Sequence, residues 1–181
     1  MELPEIPYSV SHRNVKYPRL ELRTGKLVLI LPFGCKPGPI LDKHKRWIHK
    51  KMAFIEDCLK HASDKGLVER TEEEFRNLSH TLIRKALMEM GGRLNHIYFR
   101  MMRTKWASLS SRRNLTINRL MKCLPEHLLN YIIFHEIVHL KEKRHNDKFW
   151  KRISKRFDNC QELEKDLFVY WFRVAKSRHF N

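Results

Sequence analysis

The sequence predicts an α+β fold, with a small antiparallel N-terminal sheet and a β-hairpin packed on a helical bundle. Three observations lead there. Short β-branched or alternating segments occupy the first 33 or so residues and recur between residues 96 and 118. Helical periodicity fills the span from 40 to 91 and most of the chain after 125. The stretch LLNYIIFHEIVHL at 128–140 is apolar on all sides, which marks a core helix.

In chain order, IPYSVSH, RLELR and KLVLILP read as three strands, broken by Pro18 and by Thr24-Gly25, and tight connections suggest an antiparallel meander. The turn cluster GCKPGP at 34–39 is a joint. From Ile40 to about His61 the period is helical, with Trp47, Ile48, Phe54 and Leu59 on a broad apolar face, and SDKG at 63–66 ends that helix. Thr71 followed by Glu72, Glu73 and Glu74 is a capping box, with Glu74 at the third helical position and acids at the positive end of the helix dipole. That helix stops at Gly91-Gly92. HIYFRM, RTKWASLS and NLTIN read as strands, the last two joined as a hairpin across SRR. Pro125 with Glu126 starts the core helix. Asn146-Asp147 caps a helix through about Phe157, and a last helix runs from Gln161 to about Lys176.

With 181 residues the chain reads as a single domain, 1–181. Its parts are a strand-rich lobe over about 1–35, connecting helices over about 37–92, and a lobe over about 96–181 that holds the chemistry described next. Hydrophobic residues at 42% and charged residues at 31% exclude wholesale disorder. The net charge of +17 attracts polyanions, which makes nucleic acid, nucleotides, anionic lipid and acidic proteins candidate partners. Cys35, Cys58, Cys123 and Cys160 form no CxxC pair, which excludes a zinc ribbon and a disulfide framework and fits thiols in a reducing cytosol. MELPEIPYSV lacks the pattern of a signal peptide, and LVLIL at 27–31 is too short to cross a bilayer. The expectation is a cytoplasmic protein with no membrane association; the oligomeric state is left open.

The core helix poses a problem. Burying His135, Glu136 and His139 in it without partners costs several kcal/mol. His135 and His139 are four residues apart, so their rings leave the same face about one turn apart, the geometry for two nitrogens on one tetrahedral Zn²⁺. Glu136 lies about 100° round from His135, too far to be a natural ligand and close enough to reach a water on the ion. A third ligand is required. On an unbroken helix His145 lies out of reach, so the helix must end in the polar LKEKR and the chain turn back for it to contribute; Glu162 and Glu164 are the alternatives. Such a site generates a nucleophilic water, with Glu136 as proton acceptor.

The text around HEIVH extends the argument. RTKWASLSSRRNLTIN, then LPEHLLNYIIFHEIVHL, then RHNDKFW, in that order, resembles the YgjP-like zinc metallopeptidases, relatives of the SprT-like proteases. The strand-rich N-terminus followed by KRWIHKK also fits that family. The resemblance implies a zincin-like fold with a small sheet packed on the HExxH helix. It also implies one Zn²⁺ held by His135, His139 and His145, Glu136 as the catalytic general base, and a peptide or protein substrate. Ala107 and Leu109 stand where the family usually has Gly and Cys, and Arg144 stands where Asn is common before the third histidine. Trp106, Phe149 and Trp150 also match, and read as packing around the site. NLTIN is the strand expected to hold an extended peptide by strand addition.

The functional expectation is therefore a zinc-dependent peptidase acting on proteins, with a basic surface (Arg112-Arg113 and KRISKR at 151–156) suited to substrates associated with nucleic acid. Two other classes compete. A nucleotide phosphoanhydride hydrolase would use the same activated water, although phosphate chemistry favours carboxylate-held Mg²⁺ or paired metals. A nucleic-acid-binding module with structural zinc would need a fourth protein ligand, for which Cys123 and Cys160 are the thiols nearest in sequence.

Overall fold

The most apolar strand of the N-terminal region sits at the centre of its sheet, which decides the topology of the first lobe. In this computed structural model, residues 8–23 and 26–177 are described. The segment MELPEIP, on which the expectation of no signal peptide rests, and the Thr24-Gly25 turn lie outside the described residues. Strands β1 (Tyr8–His12), β2 (Arg19–Arg23) and β3 (Lys26–Leu31) pair in the order β1-β3-β2. β2 is antiparallel to β3, but β1 is parallel to it, with Tyr8 opposite Leu27 and His12 opposite Leu31. The expected antiparallel meander, which would centre β2, is thus corrected to a mixed sheet. The reason is burial. Leu27, Leu29, Ile30 and Leu31 are all buried, so β3 hides both faces and belongs where both edges are hydrogen-bonded. Residues 13–18 cross the end of β3, and the Arg13 N–H donates to the Leu31 carbonyl at 2.9 Å.

The second sheet repeats this plan. β4 (His96–Arg100), β5 (Ala107–Leu109) and β6 (Asn114–Asn118) pair as β4-β6-β5, with β4 parallel and β5 antiparallel to β6. The expected β5–β6 hairpin is present, with Ala107 opposite Ile117 and Leu109 opposite Leu115. β5 is shorter than expected because residues 101–106 are used to cross the end of β6. One buried side chain holds that crossing. Asn118 Nδ2 donates to the carbonyls of Met102 (2.8 Å) and Lys105 (2.7 Å), and its Oδ1 accepts the Met102 N–H at 3.2 Å. The same oxygen accepts the Leu120 N–H and so starts a 3-10 turn over Arg119–Cys123.

Six α-helices lie among the described residues. α1 (Gly38–Lys43) and α2 (Lys45–Ala62) replace the single helix expected over 40–61 and meet at His44. α3 (Glu72–Met90) carries the capping box. Thr71 Oγ1 accepts the Glu74 N–H at 3.2 Å, and Glu74 Oε2 accepts the Thr71 N–H at 2.8 Å. Gly91, with φ of 68°, ends α3 in a backbone conformation that disfavours other residues. α4 (Glu126–Val138), α5 (Asp147–Ser154) and α6 (Cys160–Ser177) follow.

α4 is the rod around which the core forms. Leu128, Leu129, Ile133 and Val138 pack with Phe75 and Ile83 of α3, Leu115 and Ile117 of β6, Ile153 of α5, and Leu163 of α6. A second cluster joins α2 to α6 through Ile55, Cys58, Val169 and Phe172, and a third seats β3 on Ile48 of α2. The fold is α+β, with a small sheet against the helix that carries HExxH, the arrangement the family resemblance implied. Among the described residues no helix is long and apolar enough to cross a membrane.

Asn118→Ala removes the side-chain partner of two carbonyls and two N–H groups and should lower the unfolding free energy by about 3 kcal/mol in urea melts. Thr71→Ala should lower it by about 1 kcal/mol. The Thr71 backbone N–H, then the Thr71 hydroxyl, hold the Glu74 carboxyl below its ordinary range. The contribution of that interaction is therefore present above the unfolded carboxyl pKa and is lost as pH falls through the lower folded value. The Thr71→Ala deficit should shrink on acidification, as thermal melts at neutral and acid pH will show.

Candidate metal centre

On α4 every residue from Tyr131 to Val138 is buried except His135 and Glu136, which are half-buried at the face open to a cleft. His135 and His139 lie one turn apart, with ring centroids 5.3 Å from each other. The helix must stop for a third group to join them, and it stops at Val138. His139 is the C-cap residue, and the N–H groups of Leu140 and Lys141 tighten to the carbonyls of Ile137 (3.0 Å) and Val138 (2.9 Å). The chain then reverses. Asn146 caps α5, its Oδ1 accepting the Phe149 N–H at 3.0 Å, and this cap places His145 just ahead of the new helix. The His145 ring comes to 5.0 Å from His135 and 4.8 Å from His139.

One nitrogen from each ring lies within 4.8 Å of the others, and the Nε2 atoms of His135 and His145 are 3.0 Å apart. Three imidazoles around a tetrahedral Zn²⁺ with bonds of 2.0–2.1 Å place their nitrogens about 3.3 Å apart, so the spacing fits such an ion. The protonation pattern fits as well. His139 Nδ1 lies 2.9 Å from the Glu142 carbonyl, to which it must donate, leaving Nε2 with its lone pair toward the cluster. Burial first, then the neighbouring His139 and His145, push the His135 pKa down to about 3; burial also lowers that of His145. Two neutral imidazole nitrogens facing each other at this distance call for a cation or a shared proton.

The rings rest on Phe149, which is fully buried and lies 4.9, 4.8 and 4.6 Å from His135, His139 and His145. Packing is thus the role the structure gives this residue, while Trp150 is partly exposed beside His145 at 5.8 Å. Behind His135, the Tyr131 hydroxyl donates to Glu164 Oε1, which lies 3.8 Å from His135 Nδ1. Glu136 points to the other side of the cleft. Its Oε2 accepts the Leu109 N–H of β5 at 2.7 Å. Burial raises its carboxyl pKa, opposed by His139, by that hydrogen bond and by Lys105. The cleft holds about 760 Å³ between α4, β5 and α6, with Lys105, Arg113 and Lys143 among its lining residues.

His135, His139 and His145 are therefore brought together, with Glu136 beside them. Glu164 is near but behind His135, Glu162 is exposed, and neither cysteine named above joins the cluster among the described residues. The strand expected to hold a peptide is corrected. NLTIN is β6, whose two edges are both occupied, and the sheet edge at the site is β5. The groups that sequence reading missed are the Glu142 carbonyl, the Leu109 N–H, Tyr131 and Asn118. The first two are backbone atoms and leave no residue-type signal.

No curated protein matches the chain. Among solved structures, the metallopeptidase zymogen abylysin of Pyrococcus abyssi is 24% identical, covers 50% of this chain and 92% of its own, and has a TM-score of 0.47. The metallopeptidase zymogen jannalysin of Methanocaldococcus jannaschii is 29% identical, covers 49% and 92%, and has a TM-score of 0.46. The sequence model of the YgjP-like, metallopeptidase domain family matches residues 64–169, which include the capping box of α3, the second sheet and the whole histidine cluster. With well over half its length inside that match, the chain belongs to the YgjP-like family of metallopeptidase domains.

Proposed function

We propose that this chain is a zinc-dependent peptidase in which His135, His139 and His145 hold one Zn²⁺ and Glu136 is the general base. The observation that carries the reading is the reversal after α4, which sets His145 3.0 Å from His135 while leaving Glu136 at the open side of the cleft. Bound there, Zn²⁺ would acidify water and polarise a carbonyl.

The chain's own residues supply the rest. Leu109 N–H holds Glu136 Oε2, which leaves Oε1 to accept a proton from the attacking water and return it to the departing amine. The raised carboxyl pKa makes Glu136 a stronger base than an exposed glutamate. The Glu142 carbonyl fixes the tautomer of His139, and Glu164 with Tyr131 backs His135. β5 offers the edge along which an extended peptide would lie. An all-imidazole set suits zinc better than the carboxylate-bound Mg²⁺ of phosphoanhydride chemistry. Among the described residues a structural zinc would lack a fourth protein ligand here, and it would give Glu136 no role. The basic residues Arg113, Lys151 and Lys155 suit protein substrates associated with nucleic acid.

Glu136→Gln should keep zinc bound and lower kcat/KM on unfolded protein substrates about 10²–10⁴-fold, read by metal analysis beside a cleavage assay. His145→Ala should lose stoichiometric zinc, and Asn146→Ala should weaken zinc binding roughly tenfold or more by loosening the support of His145. Duplex DNA binding should fall steeply between 50 and 200 mM salt; binding that is absent or indifferent to salt removes the nucleic-acid association.

A further inference from the structure

A second cleft adjoins the histidine cluster, and the histidine mechanism makes no use of it. It holds about 480 Å³, within the range that takes a ligand. Its walls are aromatic and aliphatic: Trp47 and Phe54 of α2, Trp106 at the start of β5, and Leu167, Phe168 and Trp171 of α6. Trp106, Lys105, Glu164 and Leu167 line both clefts, so the two lie side by side across a shared wall. Trp47 and Phe168 are 40% and 49% exposed, so both present apolar surface at the cleft. The outer wall comes from α2, which precedes the family-matched segment.

The wall is rigid. Trp106 Nε1 donates to the Leu167 carbonyl at 3.3 Å and packs edge-to-face on Trp171, with centroids 4.8 Å apart at 83°. Phe54 and Phe168 make a similar pair at 5.5 Å and 86°. Rings set at right angles line a three-dimensional hole and leave no parallel shelf, so the shape suits an apolar side chain better than stacked bases. The rim is basic. Lys51, Arg103 and Lys105 border the cleft, and among the described residues lining it Glu164 is the one carboxylate, already engaged by Tyr131.

We propose that this cleft is a specificity subsite that binds one bulky apolar side chain of an acidic peptide segment whose backbone continues toward the histidine cluster. The inference rests on the peptidase reading for its purpose, but side-chain binding is measured apart from cleavage. Trp106 joins the two functions, since it walls the subsite and leads directly into the β5 edge.

The test uses zinc-loaded Glu136→Gln protein, which should not turn over, and fluorescein-labelled decapeptides read by anisotropy. One peptide carries a single phenylalanine among aspartates, glutamates and serines. In a second the phenylalanine is alanine, and in a third the acids are lysines. An oligothymidylate of equal length is the fourth probe. The first peptide should bind about tenfold tighter than the second or third. Trp47→Ala and Phe168→Ala, both at partly exposed positions, should each remove most of the phenylalanine preference, and Trp47→Phe should keep it. Arg103→Glu combined with Lys51→Glu should remove the preference for acids. Equal affinity for the phenylalanine and alanine peptides overturns the proposal, and so does oligothymidylate binding that outcompetes the first peptide and is lost in Trp47→Ala. Cleavage by the unsubstituted protein is followed in parallel. Scission indifferent to the phenylalanine overturns the subsite and leaves the peptidase standing; cleft-dependent binding without scission supports the subsite and removes the peptidase.

Discussion

The chain reversal between Val138 and Asp147 is the constraint on which the histidine cluster depends. A helix as apolar as α4 tolerates two imidazoles and a carboxylate only if something satisfies them. The reversal brings His145 to the pair one turn apart on α4 and sets the Glu142 carbonyl on His139, while the Leu109 N–H meets Glu136. Three local devices make the reversal stable. The last turn of α4 tightens to i→i−3 bonds, the Glu142 carbonyl accepts a hydrogen bond from His139 Nδ1–H, and Asn146 caps α5 through the Phe149 N–H. The third also seats the Phe149 ring against all three imidazoles, so a single cap sets both the third imidazole and the floor beneath it.

A second constraint is the crossing over the end of β6. Asn118 holds residues 102 and 105 by their backbone, which fixes where β5 begins and therefore which N–H meets Glu136. It also fixes Trp106 between the histidine cleft and the aromatic one. Glu136 is thus positioned by two elements at once. α4 carries it, and β5 holds one of its oxygens. This division fixes the orientation of a carboxylate that lines the cleft.

The parts that were legible in the chain are those whose cause is local. The α3 capping box, the Asn146 cap, the stop at Gly91 and the all-round apolarity of α4 each depend on residues within four positions of one another, and each is found as expected. The pairing of His135 with His139 is legible for the same reason. Strand order was not legible. Placing β3 between β1 and β2, or β6 between β4 and β5, depends on which strand must bury both faces against distant helices. The role assigned to NLTIN failed on this point, since a half-buried alternation looks the same on an edge strand and on a central one.

What the amino-acid sequence determined alone is most of the elements, the ends of α3, the starts of α4 and α5 and the pairing of His135 with His139 on one helix face, because caps and helical spacing act over a single turn. Only the tertiary structure decided that His145, rather than Glu162 or Glu164, completes the cluster, and that β5 rather than β6 lines it. It also decided that α2 and α6 close an aromatic cleft against Trp106. These outcomes depend on contacts between residues ten to more than a hundred positions apart, where the direction of a chain reversal and the burial of whole faces, not local preference, set the result.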